Sequence, residues 1–244
     1  MKSIFVLLLL CMLNRSVQAD VIADEMKKRG FVEKPVPTTS DDKIKANRDS
    51  KSFRVSLDPN LTIEQIENGR ARGPIIVDAG KVKYIGVDNG EFGGGLYLNE
   101  ISGNQAPFLG GNIQALIPLN DDLYILSGLS HMTSSHGAIH VIRHYKSPKP
   151  PVRVTLLPDA PAAALVIEAR QGRKSIVFVG SSSLMEFTPD SRLELIAFDA
   201  FWFPLYPTSV VKQNDSYFIG LRSGVAVVTP NLRMSSVRYF VPES

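Results

Sequence analysis

Cysteine is almost missing from this 244-residue chain: Cys11 is the single one, and it sits in an apolar run near the N-terminus. The remainder holds no thiol, which excludes disulfide staples, cysteine nucleophiles and cysteine-ligated zinc there. A surplus of one charge is missing too, since 27 Lys and Arg face 24 Asp and Glu. The sequence pI of about 8.9 rests on that near-cancelling difference, and no basic stripe accompanies it, so nucleic acid is not an expected partner. Long apolar runs are absent as well. Ile4 to Leu13 would make roughly 15 Å of helix, about half the hydrocarbon core of a bilayer, and no other stretch approaches spanning length. What is present is ordinary folding material, 44% hydrophobic and 21% charged, enough for one good-sized domain or two small ones. Collagen-like, low-complexity and wholly disordered classes are excluded.

The first residues read as an export signal. Lys2 gives the positive start, Ile4 to Leu13 the apolar stretch, and Asn14-Arg15-Ser16 break it before Val17-Gln18-Ala19. Cleavage is expected after Ala19, giving a secreted or periplasmic protein without stable membrane insertion. Leu10, directly before Cys11, does not suit a lipid-modified cysteine. Without Lys2 and Arg15 the basic and acidic residues number 25 and 24. An exported chain with no disulfide must be held by its core alone, and this points to a bacterial exported protein.

Residues 20–52 carry charge of both signs, Pro35 and Pro37, and few large apolar side chains, so a weakly ordered arm is expected, with a short helix from about Val21 to Arg29 stopped at Gly30. Phe53 to Leu57 alternates like a half-buried strand. Thr62-Ile63-Glu64-Gln65 matches a capping box opening a short helix that ends at Gly69.

From Gly73 the texture repeats. Tyr84-Ile85-Gly86, Tyr124-Ile125-Leu126, Phe178-Val179-Gly180 and Phe218-Ile219-Gly220 are spaced by 40, 54 and 40 residues. Each has a strand and polar turn before it and a Gly- or Ser-containing turn and a further strand after it. Outer strands follow at Val152 to Leu156, Leu193 to Ala197 and Val237 to Val241, with a weak one near Phe108. Four-stranded units recurring every forty-odd residues are the pattern of β-propeller blades; a β-sandwich with coincidental spacing is the competing arrangement. The run Tyr217-Phe218-Ile219-Gly220-Leu221-Arg222-Ser223-Gly224-Val225 resembles blades of ligand-binding sensor propellers, and Gly90-Glu91-Phe92-Gly93-Gly94-Gly95-Leu96 is similar to a motif of bacterial secreted propellers. Trp202 is followed by Phe203, so the Trp-Asp dipeptide of one large propeller family is lacking. The resemblance covers about Gly73 to Pro242 and implies an all-β fold, a small propeller of about four or five four-stranded blades within residues 53–244. Phe53 to Leu57 would add an outer strand to the last blade or begin a degenerate fifth. No activity follows from the fold.

In such blades the loops between second and third strands gather at one end, where function usually sits. That end collects Asp88, Asn89 and Glu91, then His131 and His136, Ser181 to Ser183, Arg222, and the link bearing Phe201, Trp202 and Phe203. The four histidines lie between His131 and His144, but on a strand neighbours four apart are roughly 13 Å from one another, too far to share an ion. Only His131 and His136 are placed to converge with Asp88 or Glu91. Gly93-Gly94-Gly95 lacks the Lys and helix of a phosphate cradle, and Ser181 and Ser183 lack a nucleophile-elbow setting. Two functions follow as expectations. The first is an exported, non-enzymatic binding protein whose loop face engages a protein, peptide or glycan through Asp88, Glu91, His131, His136, Trp202 and Arg222. The alternative is a metal-assisted lyase or hydrolase built on His131, His136 and Glu91. No resident cofactor is expected.

Overall fold

The computed structural model describes residues 21–48, 51–67, 73–101, 106–132, 134–147, 149–168, 172–232 and 234–243. The expected signal segment and its cleavage point after Ala19 lie outside the described residues.

The described chain opens with a helix over residues 21–28 (α1), strand β1 (Phe31–Lys34) and helix α2 (Ser40–Asn47). A hairpin of β2 (Ser52–Leu57) and β3 (Leu61–Ile66) comes next. Four antiparallel meanders follow. The first is β4 (Ile75–Asp78), β5 (Lys83–Asp88), β6 (Gly94–Leu98) and β7 (Leu109–Gly110). The second is β8 (Ile113–Leu119), β9 (Asp122–His131), β10 (Ser134–Ile142) and β11 (Val152–Leu157). The third is β12 (Pro161–Glu168), β13 (Lys174–Gly180), β14 (Leu184–Phe187) and β15 (Leu193–Ala197). The fourth is β16 (Ser209–Gln213), β17 (Ser216–Leu221), β18 (Gly224–Thr229) and β19 (Ser236–Pro242), widened by β1 on its outer edge. The protein is all-β apart from its short helices, and the succession of small antiparallel sheets is propeller-like.

Alternation along the strands explains how the sheets stack. In β9, Leu123 and Ile125 pack with Tyr84, Leu96 and Ile113, while Tyr124 and Leu126 turn to the other side and meet Ile176, Phe178 and Phe187. A strand buried on both faces in this way reads as a continuous apolar run, and Leu123 to Leu126 is one. The same division recurs in the fourth sheet. Tyr217 and Ile219 face the third sheet with Val177 and Val179, and Phe218 faces the hairpin with Phe53, Val55 and Leu61. The four repeated aromatics, Tyr84, Tyr124, Phe178 and Phe218, are all buried, as their equivalent second-strand positions require.

Turns and close approaches set the register. Asn120 and Asn214 close equivalent hairpins with left-handed φ of 57° and 52°, a conformation asparagine tolerates better than most residues. Gly86 and Gly180 follow the repeated aromatics where the next segment presses in. A Cβ at Gly86 would lie 2.6 Å from Ile113, and one at Gly180 would lie 2.6 Å from Asp159. A side chain at Gly86 would press on the next sheet at Ile113, and one at Gly180 would displace the Asp159 and Ser183 side chains.

Two expectations are corrected. The Thr62 to Gln65 stretch is not a helix start but part of β3, whose whole length pairs with β2 from Ser52↔Ile66 to Leu57↔Leu61. Cross-strand hydrogen bonds there outweigh a local capping pattern. Nor is the arm weakly packed throughout. Ile22, Met26 and Phe31 are buried against Phe53, Val225 and Phe240, and β1 pairs with β19 from Phe31↔Pro242 to Lys34↔Tyr239. The Arg238 guanidinium grips Glu33 in a fork, donating from Nε at 2.8 Å, and that contact holds the Glu33 carboxyl below its usual range. By contrast α2 buries no residue. Phe53 to Leu57 does form a strand, partnered by β3 rather than by the last meander's edge, with one bridge between Ser52 and Arg222.

Candidate functional site

Strand alternation sends the loops between second and third strands to one end of the molecule. Three of them, with the link from the third meander to the fourth, enclose an open cavity of about 630 Å³. One wall is polar, with Asp88, Glu91, Gln114 and His131; the facing wall is apolar, with Pro161, Phe203 and Tyr206.

The polar wall is built from the β5–β6 connection, a 3-10 turn over Gly90–Phe92. Asp88 Oδ1 accepts from the Gly90 amide at 2.9 Å and its Oδ2 accepts from Gln114 Nε2 at 2.9 Å. Asn112, nearly buried, accepts from the Asn89 amide at 3.2 Å and donates to the Gly90 carbonyl at 2.7 Å. Gly93, at φ 87°, then lets the chain enter β6. The turn is thus fixed from three sides and presents Glu91. His131, the last residue of β9, brings Nε2 to 3.3 Å from Glu91 Oε2. Both side chains keep contact with water, 41% and 51% exposed, so their mutual attraction is modest. Its value lies in placement: a carboxylate from one sheet orients an imidazole from the next at a cavity rim.

The sequence-derived candidates separate here. Asp88, Glu91, His131 and Trp202 line the cavity, but only Glu91 and His131 meet as a pair. Asp88 spends both oxygens on holding the loop. His136 lies along β10 opposite Leu129, is exposed, and has Nδ1 3.4 Å from Ser134 Oγ; it is not part of the cavity wall. Two residues of extended strand separate it from the rim. Trp202 is fully buried, with its indole N–H donating to the Gly180 carbonyl at 3.1 Å and its ring edge-on to Phe201. It is core that backs the cavity, and Phe203 and Tyr206 present the accessible aromatic surface. Arg222 stacks over the Tyr206 ring at 4.8 Å and donates to Asn47 Oδ1 at 2.8 Å. It joins the N-terminal arm to the back of the cavity wall and does not itself line it.

Between the second and third meanders a buried carboxylate fastens the same end. Asp159, 4% exposed, accepts from Ser135 Oγ, from the Ser182 amide at 2.6 Å and from Ser183 Oγ at 2.9 Å. A buried charge survives where donors converge on it in this way. Ser181 to Ser183 are legible as loop residues from their pattern alone; nothing local signals that Asp159 gathers them, or that Asn112 and Gln114 brace the loop bearing Glu91. A polar residue just before an apolar strand was the one available hint at Asn112.

The remaining histidines stand apart. His140 lies in β10 with a buried Nδ1 that has no hydrogen-bond partner among the described residues. Burial, and secondarily Arg153, push its pKa down. His144 pairs with Asp121 at a turn. Among the described residues no three His, Cys, Asp or Glu side chains come together to hold a metal ion, and no helix is long and apolar enough to cross a membrane.

No protein-family model and no curated protein matches the chain. Among solved structures, the chain is similar to an engineered GH43 glycoside hydrolase with endo-xylanase and exo-arabinofuranosidase activity, at 11% identity and a TM-score of 0.36. The match covers 87% of this chain and 44% of that one, so this chain spans less than half the length of its neighbour. That neighbour is an enzyme, which does not agree with the expectation of a non-enzymatic binding protein, and that expectation is not carried further. A likeness of this depth assigns neither substrate nor site residues.

Proposed function

We propose that the chain is a hydrolase in which Glu91 and His131 act as one acid–base pair at the mouth of the loop-end cavity. The observation that carries the reading is the 3.3 Å approach of His131 Nε2 to Glu91 Oε2, made by a strand end of one sheet and a loop of another over a cavity large enough for a small molecule or a chain end. A carboxylate beside Nε2 favours the proton on that nitrogen, which leaves the Nδ1 lone pair to take a proton from water. Glu91 stabilises the imidazolium so formed. The imidazolium then returns the proton to the leaving group as the bond to the attacked centre breaks. His136 has no part in this, which removes the third ligand from the metal-assisted version and leaves a carboxylate–imidazole site.

The substrate is a peptide or glycan, bound with an apolar face on Phe203 and Tyr206 and polar groups toward Glu91 and His131. Export by the Met1 to Ala19 segment belongs to the same reading, and N-terminal sequencing of the exported protein should begin at Asp20. So does the finer architecture: four complete blades, with the β2–β3 hairpin as a two-stranded fifth beside the last. The functional test is turnover of chromogenic aryl glycosides and of peptide anilides by the purified protein. Turnover on one panel, lost in Glu91→Gln and His131→Asn while circular dichroism is unchanged, is the expected result. No turnover on either panel, or full activity in both variants, overturns it.

A further inference from the structure

A second cavity, of about 490 Å³, opens at the opposite end of the molecule between the third and fourth meanders. Its position follows from topology, because the β16–β17 and β18–β19 connections leave the sheet away from the Gly180 to Leu184 loop. Among the described residues three carboxylates line it, Glu186, Glu194 and Asp215, against one lysine, Lys212. Glu186 and Glu194 stand directly opposite each other on β14 and β15, an arrangement that costs energy when both are charged. Each is half engaged: Glu186 Oε1 accepts from Ser175 Oγ at 2.6 Å, and Arg192 pairs with Glu194 Oε1 at 2.7 Å. Asp215 has no ion pair among the described residues.

Tyr217 supplies the independent observation. It lies in the wall of this cavity, is 2% exposed, and its hydroxyl makes no hydrogen bond among the described residues. Burial first, then the charge of Glu186, raise its pKa to about 12, so the hydroxyl keeps its proton. Lys212 Nζ already sits 5.4 Å from the centre of the Tyr217 ring, which shows that the ring face accepts an ammonium group. Carboxylates in excess, an aromatic face occupied by an ammonium and an unused hydroxyl suit one ligand chemistry. Among the described residues no three carboxylates converge on one point as a bare ion would require.

We propose that this cavity binds a primary alkylammonium group, held by Glu186, by the Tyr217 hydroxyl and by the Tyr217 ring. The group has two sources, a free linear diamine or the lysine side chain of a protein, and the experiment separates them. Calorimetric titration of the full chain at physiological salt uses cadaverine in one arm and Nα-acetyl-lysine methylamide in the other. Saturable one-site binding in at least one arm is expected, and the tighter arm identifies the source. Glu186→Gln should weaken it about tenfold, the loss of one partly buried charged hydrogen bond. Tyr217→Phe should weaken it about threefold or more without lowering the urea midpoint, since no folded-state hydrogen bond is removed. Lys212→Met, by vacating the ring and removing a like charge, should tighten binding about threefold. Absence of saturable binding in both arms overturns the proposal. So does binding that is unchanged in Glu186→Gln and Tyr217→Phe, which would mark a diffuse attraction of cations to surface carboxylates.

Discussion

Phe178, enclosed between two sheets, and Glu91, half exposed at a cavity rim, represent two regions held together by different means. The seams between sheets consist of alternating apolar side chains with few polar atoms, and their stability comes from area removed from water. The loop end is tied by polar contacts: Asn112 and Asp88 under one loop, Asp159 under two others, Arg222 under the aromatic wall. A seam tolerates no loss of volume, whereas the loop end tolerates loss of a side chain that presents chemistry but not of one that braces a loop. The difference separates residues that make the fold from residues that use it.

The largest effect tests the seam. Phe178→Ala should lower stability by about 3–5 kcal/mol, the range for deleting a fully buried aromatic, read as a drop in urea midpoint at unchanged slope. A loss under about 1 kcal/mol would mean that the seam is not a packed core. Next comes the brace. Asp159→Ala should cost about 1–3 kcal/mol by leaving a buried donor unsatisfied, and hydrogen exchange should speed up at Ser182 and neighbouring loop amides. Glu91→Gln and His131→Asn belong to the other class and should each shift stability by no more than about 0.5 kcal/mol. Destabilisation equal to that of Phe178→Ala would erase the distinction between the two regions.

The smallest effect is pH-dependent and comes from His140. Its pKa is lowered in the folded protein, so below the ordinary value near 6.5 the unfolded chain binds the proton first. Stability contributed by the neutral imidazole is complete above that value and is lost as pH falls toward the depressed one. Urea midpoints measured from pH 7.5 down to pH 5.5 should therefore fall more steeply in the natural chain than in His140→Leu. Equal slopes would remove His140 from the account.

The seams were readable in advance because strand alternation is a local property with a period of two. Tyr84, Tyr124, Phe178 and Phe218 mark equivalent positions through a shared aromatic-aliphatic pattern set between turns, and the glycines after three of them mark where a neighbour comes close. The β2–β3 hairpin was harder. Thr62 and Gln65 satisfy a helix-start pattern locally, and only pairing with Phe53 and Arg54 on a neighbouring strand decides against it. The arm misled through composition, because three well-spaced apolar residues, Ile22, Met26 and Phe31, suffice to dock a segment that is otherwise charged. For the site, topology correctly brought the loops to one end. Which side chains meet there depends on contacts between residues 20 to 40 positions apart, such as Glu91 with His131 and Asp159 with Ser182, and no periodicity encodes those. His136 shows the limit, since its nearness to His131 in sequence is undone by the two strand residues that carry it off the rim.

If Glu91 and His131 act as one unit, a double-mutant cycle on kcat/KM will show it. Turnover of the active chromogenic substrate would be compared among the natural chain, Glu91→Gln, His131→Asn and the double variant, with urea midpoints confirming that all four are folded. His131→Asn should lose about 10²- to 10⁴-fold, the usual worth of a positioned general base, Glu91→Gln should lose less, and the double variant should be no slower than His131→Asn alone. Losses that multiply in the double variant, or a His131→Asn protein as active as the natural chain, would contradict action as one unit.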